Sequence, residues 1–211
     1  MANVTPNSKG KISVLDELDA IKNWKTVIET KGVDDLNKMF TNSGNYFSLN
    51  LDNAQSCKVH IYFGCDEQLV NVQLYIILAN YDEKGLDELL GTVTLKSSVG
   101  KLETLQEEIK TWNTESKRKE WLKQVCDTGN MLQAFVIDAT DFMPGHTNEC
   151  HFALKETSTY GLQADLVVVN TQANGSRSIL KDMARPVPPY NNGYNKGYPS
   201  TDKANFRVLK S

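Results

Sequence analysis

The chain repeats itself once at a spacing near 90 residues, and this limits its possible folds more than any other feature. GKISVLDELDAIKNW (10–24) aligns with GKLETLQEEIKTW (100–112), given two extra residues in the first copy. LNKMFTNSGN (36–45) aligns with LKQVCDTGN (122–130), and each Gly-Asn precedes an apolar run. His60-Ile61 faces His151-Phe152. Asn80, Gly85, Leu89 and Leu90 face Asn170, Gly175, Ile179 and Leu180, each pair 90 positions apart. A single match of Gly, Leu or Lys carries little weight. Their preserved order predicts an internal duplication, in which each unit leaves an apolar face that only its copy can cover.

Hydrophobic periodicity gives each copy the same reading. Leu15, Leu18, Ile21 and Ile28 recur at helical spacing, with Ser13 as a capping signal and Gly32 as a stop. A short second turn over 33–40 places Val33, Leu36, Met39 and Phe40 on one side. The period then changes to two, predicting strands over 46–51, 57–63 and 70–79, joined as hairpins through the polar connections 52–56 and 64–69. In the second copy Leu102, Leu105, Ile109 and Trp112 form a helical stripe, which Trp121, Leu122 and Val125 renew. Strands are predicted there over 131–138, 150–156 and 164–170. The expected fold class is α+β: two helix–three-strand antiparallel units, 10–99 and 100–183, related by a pseudo-twofold axis. They form one compact domain or two lobes, followed by an extended arm over 184–211 rich in Pro and Tyr.

Composition is compatible with such a core. Of 211 residues 40% are hydrophobic, with 13 Gly besides, which excludes wholesale disorder and a collagen-like fibre. The longest uninterrupted apolar run, 74–79, is far short of the roughly 18–20 residues of a membrane span. The opening MANVTPNSKGK has no apolar stretch after its Met, so no secretory signal is expected there. Cys57, Cys65, Cys126 and Cys150 form no CxxC pair, and reduced thiols in a cytoplasmic protein are the expectation. The net charge of −3 averages an acidic body, −5 over 10–99 and −2 over 100–189, with a tail of +3 over 190–211. Phosphate binding needs clustered Lys and Arg, so no nucleic acid and no membrane partner is expected. A helix followed by three strands and a second helix also outlines the double-stranded-RNA-binding module. That module works through basic residues on its last helix, and here the corresponding segment, DEKGLDELL, is acidic.

Residues able to carry chemistry gather in CKVHIYFGC (57–65) and HTNECH (146–151). His60, His146, Glu149 and His151, with Asp138 or Asp141, would make an imidazole–carboxylate set suited to zinc or iron. Against it, HExxH and HxH are missing, and His60 alternates with Lys58 and Tyr62 on what reads as an outward, half-exposed strand face. Cys150 beside His151 places two potential catalytic groups on opposite faces of a strand, so a Cys–His pair would have to join Cys150 to His60 across the copies. Asp138 and Asp141 read as a strand end and a turn rather than an acid–base pair. There is no GxSxG elbow and no glycine-rich phosphate loop, and no cofactor is expected. Trp24, Trp112 and Trp121 fall at helical spacing and read as core rather than as a ligand pocket. The least ordinary stretch is ARPVPPYNNGYNKGYPSTD (184–202), where Pro favours extension and Asn-Gly favours turns. Arg185, Tyr190, Tyr194 and Tyr198 are its candidate partner-binding residues, and Phe206, Val208 and Leu209 could add an edge strand. The expected function is a non-enzymatic structural or binding platform whose arm contacts a protein partner or a second copy. The alternative is a small metal-dependent or Cys/His hydrolase with its site where the copies meet.

Overall fold

The computed structural model describes residues 14–51, 58–78, 89–97, 106–158, 161–180 and 184–187. Helix α1 (Val14–Thr30) turns one stripe inward, Ala20, Ile21, Trp24 and Val27. Helix α2 (Val33–Ser43) begins at extended Gly32, with Asp34 and Asp35 facing its free N–H groups, and buries Leu36, Asn37, Met39 and Phe40. The segment expected as a short turn is thus a helix of 11 residues. It ends at Gly44, whose N–H bonds to the Phe40 carbonyl. At φ +117° a Cβ on Gly44 would stand 2.5 Å from the Lys96 backbone, so only glycine fits that crossing.

Strands β1 (Tyr46–Ser48), β2 (Lys58–Cys65), β3 (Val72–Leu78) and β4 (Leu89–Val93) come next. Helices α3 (Glu107–Asn113) and α4 (Glu115–Asp127) are parted by a single extended residue, Thr114. Then come β5 (Ala134–Asp138), a 3-10 turn (Ala139–Asp141), the long pair β6 (Thr147–Thr157) and β7 (Gly161–Thr171), β8 (Arg177–Leu180) and β9 (Arg185–Val187). Among the described residues the fold is therefore α+β, with four helices and two antiparallel sheets.

The strand pairing departs from the expected local hairpins. The four-stranded sheet has the order β1-β6-β7-β8 and the five-stranded sheet β4-β3-β2-β5-β9. Strand β1 does not return on β2; Phe47 lies opposite Cys150 of β6. Conversely β5 does not return on β6, and its Val136 lies opposite His60 of β2. The four-stranded sheet takes β1 from the front half of the chain, and the five-stranded sheet takes β5 and β9 from the rear half.

Alternate residues of both sheets meet in one core with α2 and α4. Phe40 stands at its centre, its ring 5.9 Å from Trp24, 5.2 Å from Trp112, 6.2 Å from Phe63 and 6.3 Å from Phe152. Phe63 of one sheet stacks on Phe152 of the other at 5.9 Å. All three tryptophans belong to this core, and the Trp24 indole N–H donates to the Leu132 carbonyl at 2.8 Å. The outer faces are covered too. Ala20 and Ile21 of α1 pack with Tyr62, Tyr75, Ile77, Ala134 and Val136, and Ile109 of α3 packs with Ala153, Val167 and Val169. This corrects the reading of His60 as half-exposed: it is 2% exposed, because α1 lies on the strand face that Lys58, His60 and Tyr62 share.

Where α2 meets α4, Arg118 is buried and its guanidinium acts as a clasp. Nε donates to Asn37 Oδ1 at 2.8 Å, Nη2 to Thr41 Oγ1 at 2.7 Å and Nη1 to the Trp112 carbonyl at 3.1 Å.

Candidate functional site

The residues singled out for metal or nucleophilic chemistry are distributed over both sheets. His60 sits on β2 in the five-stranded sheet, edge-on to Tyr62 at 6.1 Å. His151 sits on β6 in the four-stranded sheet, stacked on Tyr46 at 5.0 Å, with Nε2 3.3 Å from Glu149 Oε2. Its Nδ1 is buried and unpartnered, and burial holds the imidazole below its ordinary pKa against the pull of Glu149. Glu149 and His151 share a strand face and are brought together; His146 lies in the turn ahead of β6. Among the described residues no group of three His, Cys, Asp or Glu side chains could hold a metal ion.

Cys150 points the opposite way from His151, into the core, where burial and then the charges of Asp141 and Glu149 push its thiol far above the ordinary range. Burial of this kind favours the neutral thiol over the thiolate that a nucleophile needs. Cys57 lies outside the described residues. Arg185 belongs to β9, whereas Tyr190, Tyr194, Tyr198, Phe206, Val208 and Leu209 lie outside the described residues.

What the fold does bring together is a group of neutral and acidic side chains where β6 begins and β7 ends. Asn148 and Asn170 lie opposite each other, both buried on the core-facing side. Asn170 Nδ2 donates to the backbone carbonyl of Asp141 at 3.2 Å, while its Oδ1 and Asp141 Oδ2 are buried without a partner. Burial first, then the charge of Asp138, holds the Asp141 carboxyl above its usual range. Asn148 ties the 143–146 turn. Its amide nitrogen donates to the carbonyls of Met143 at 3.2 Å and His146 at 3.3 Å and to Asn50 Oδ1 at 3.3 Å; its Oδ1 accepts from the Met143 N–H at 3.0 Å.

That turn forms one wall of a cavity of about 350 Å³, whose polar lining includes Asn50, His146, Thr147, Thr171 and Gln172. Of these only His146 stood out in the sequence. For the two buried amides behind it the signal was parity: Asn148 and Asn170 occupy inward positions of otherwise apolar strands, which a buried amide takes only with partners to satisfy it. Compared with known proteins, the chain matches no family model, no curated protein and no solved structure.

Proposed function

We propose that this chain is a non-enzymatic binding module, a duplicated platform with pseudo-twofold symmetry whose C-terminal arm contacts a protein partner or a second copy. The observation that carries the reading is β9. Residues 185–187 pair antiparallel with β5, Val136 opposite Arg185 and Ala134 opposite Val187, so the start of the arm is sewn into the five-stranded sheet as its edge strand. A segment rooted in this way presents the rest of the arm from a fixed point, which lowers the entropy lost when a partner binds.

Several features support the duplication. Among the described residues two helices followed by four strands occur in both 10–99 and 100–183, and the two trade strands reciprocally, β1 to β6 and β5 to β2. Helix α1 rests on β2 as α3 rests on β6, with Ile21 and Ile109 in the two outer clusters and Trp24 and Trp112 in the shared core. Among the described residues each unit is then two helices and four strands, richer than the helix and three strands expected. On this reading 10–99 and 100–183 are one domain.

The arm is tested by light scattering and urea unfolding of three chains: full-length, ended after Val187, and ended after Lys181. Full-length protein should exceed monomer mass, and the chain ended after Val187 should be a monomer of undiminished stability. The chain ended after Lys181 should also be less stable, having lost β9. Three monomers of equal stability would refute the proposal.

A further inference from the structure

We propose that the cavity between the 143–146 turn and the end of β7 binds a neutral, polyhydroxylated small molecule of the monosaccharide class. This is independent of the arm and of the duplication. Some polar groups around the cavity are already engaged, and others are open to a ligand. Asn148 uses both faces of its amide to hold the turn, so it builds the wall and does not face a ligand. Asn50 accepts from Asn148 at its Oδ1, and its amide N–H groups make no hydrogen bond among the described residues. The hydroxyls of Thr147 and Thr171 and the Gln172 side chain make no hydrogen bond within the described structure.

His146 adds a directed acceptor. Its Nδ1 lies 3.1 Å from the Pro144 carbonyl, an atom that can only accept, so Nδ1 carries the proton. In the neutral imidazole Nε2 then presents its lone pair. The walls therefore offer amide donors, two hydroxyls that serve either way, and one imidazole acceptor. An array of donors and acceptors with no net charge matches a set of hydroxyl groups, each of which both donates and accepts.

Charge and size narrow the class. Among the described residues no Lys, Arg, Asp or Glu lines the cavity, so a charged ligand would give up its hydration without a counter-charge from them. The volume stands at the small end of the roughly 300–1,000 Å³ of ligand pockets, room for one ring rather than a chain of them. Pro144, Met143 and Leu51 give the remaining wall an apolar surface for the C–H face of such a ring. Because the turn is tied by three hydrogen bonds from one buried residue, and a fourth from it holds Asn50, the site is formed before its ligand arrives.

The test is amide-resolved NMR titration of the full chain with glucose, galactose, N-acetylglucosamine and myo-inositol, and with glucuronate as a charged control. At least one neutral compound should give saturable shifts centred on 143–148 and 171–173, with glucuronate weaker. Thr171→Val and Gln172→Ala should each weaken binding roughly twofold to tenfold, the effect of one neutral hydrogen bond, while leaving the melting temperature unchanged. Absence of saturable shifts with all four neutral compounds would overturn the proposal. So would shifts that ignore both substitutions, or a glucuronate response as strong as the best neutral one.

Discussion

Replacing Arg118 with leucine tests whether the α2–α4 contact is held by its buried clasp. The guanidinium bonds to Asn37 Oδ1, Thr41 Oγ1 and the Trp112 carbonyl, and Arg118 is only 7% exposed. Leucine would strand two of these acceptors. Asn37 is 4% exposed, and the Trp112 carbonyl ends a helix, whereas the Thr41 hydroxyl is at the surface and can turn to water. Two buried acceptors left bare cost about 1–3 kcal/mol each. Leucine recovers part of this, because it packs without the desolvation that pushes the guanidinium pKa down. A net loss of about 2–4 kcal/mol is expected, which in a chain of this size lowers Tm by about 4–16 °C. Urea unfolding followed by tryptophan fluorescence reads it, since Trp112 and Trp121 flank the clasp. Asn37→Ala and the double variant complete a cycle, whose coupling should exceed about 1 kcal/mol. An Arg118→Leu protein within about 0.5 kcal/mol of the parent, or additive single effects, would refute the reasoning, since ordinary surface changes fall in that range.

Asp141→Asn should stabilise the protein at neutral pH. A carboxyl raised in the folded state costs stability as pH climbs from its unfolded value near 3.9 through the folded one, and that cost persists above. The amide escapes that cost, read as a higher urea midpoint at pH 7 whose advantage shrinks towards pH 4. His151→Phe should act at the acid end. With its folded pKa depressed, His151 loses stability for the fold as pH falls from about 6.5 through the folded value, so the variant's stability curve should be flatter there; Tyr46, Glu149 and the charge of Arg177 are the groups that face it. An unchanged acid limb would count against the assignment. Gly44→Ala should lose more than about 2 kcal/mol, from the positive φ and the collision with Lys96 together; chemical denaturation showing a loss under about 0.5 kcal/mol would mean the crossing can relax.

The elements were legible because they are local. Ile21 and Trp24 on one helix, Leu36 to Phe40 on the next, and the alternation of Val59, Ile61 and Phe63 each declare their inward side within a few residues. Pairing was not legible. Alternation in β1 shows that Phe47 points inward and says nothing of Cys150, more than 100 positions later, as its neighbour. The polar side of β2 misled for a related reason: whether Lys58, His60 and Tyr62 face water depends on where α1 lies. At the site the sequence offered histidines, cysteines and carboxylates, since those types carry known chemistry. The amides that shape it, Asn148 and Asn170, titrate at no ordinary pH, and only their partners disclose their part.

The traded strands also govern the order in which the polypeptide can complete itself as it is made. Once residue 65 has emerged, one side of β2 waits for β5, which begins about 70 residues later. At translation rates of 5–20 residues per second that is a delay of about 4–14 s. Throughout it the nascent front half carries an open strand margin, and its own β1, bridged at Tyr46 to Lys96, lacks its strand partner until β6 arrives. Completion is therefore a late, high-contact-order event. A ribosome-bound chain stalled before residue 134 should be far more protease-sensitive than one stalled after β7, and more in need of chaperone cover than its modest length suggests.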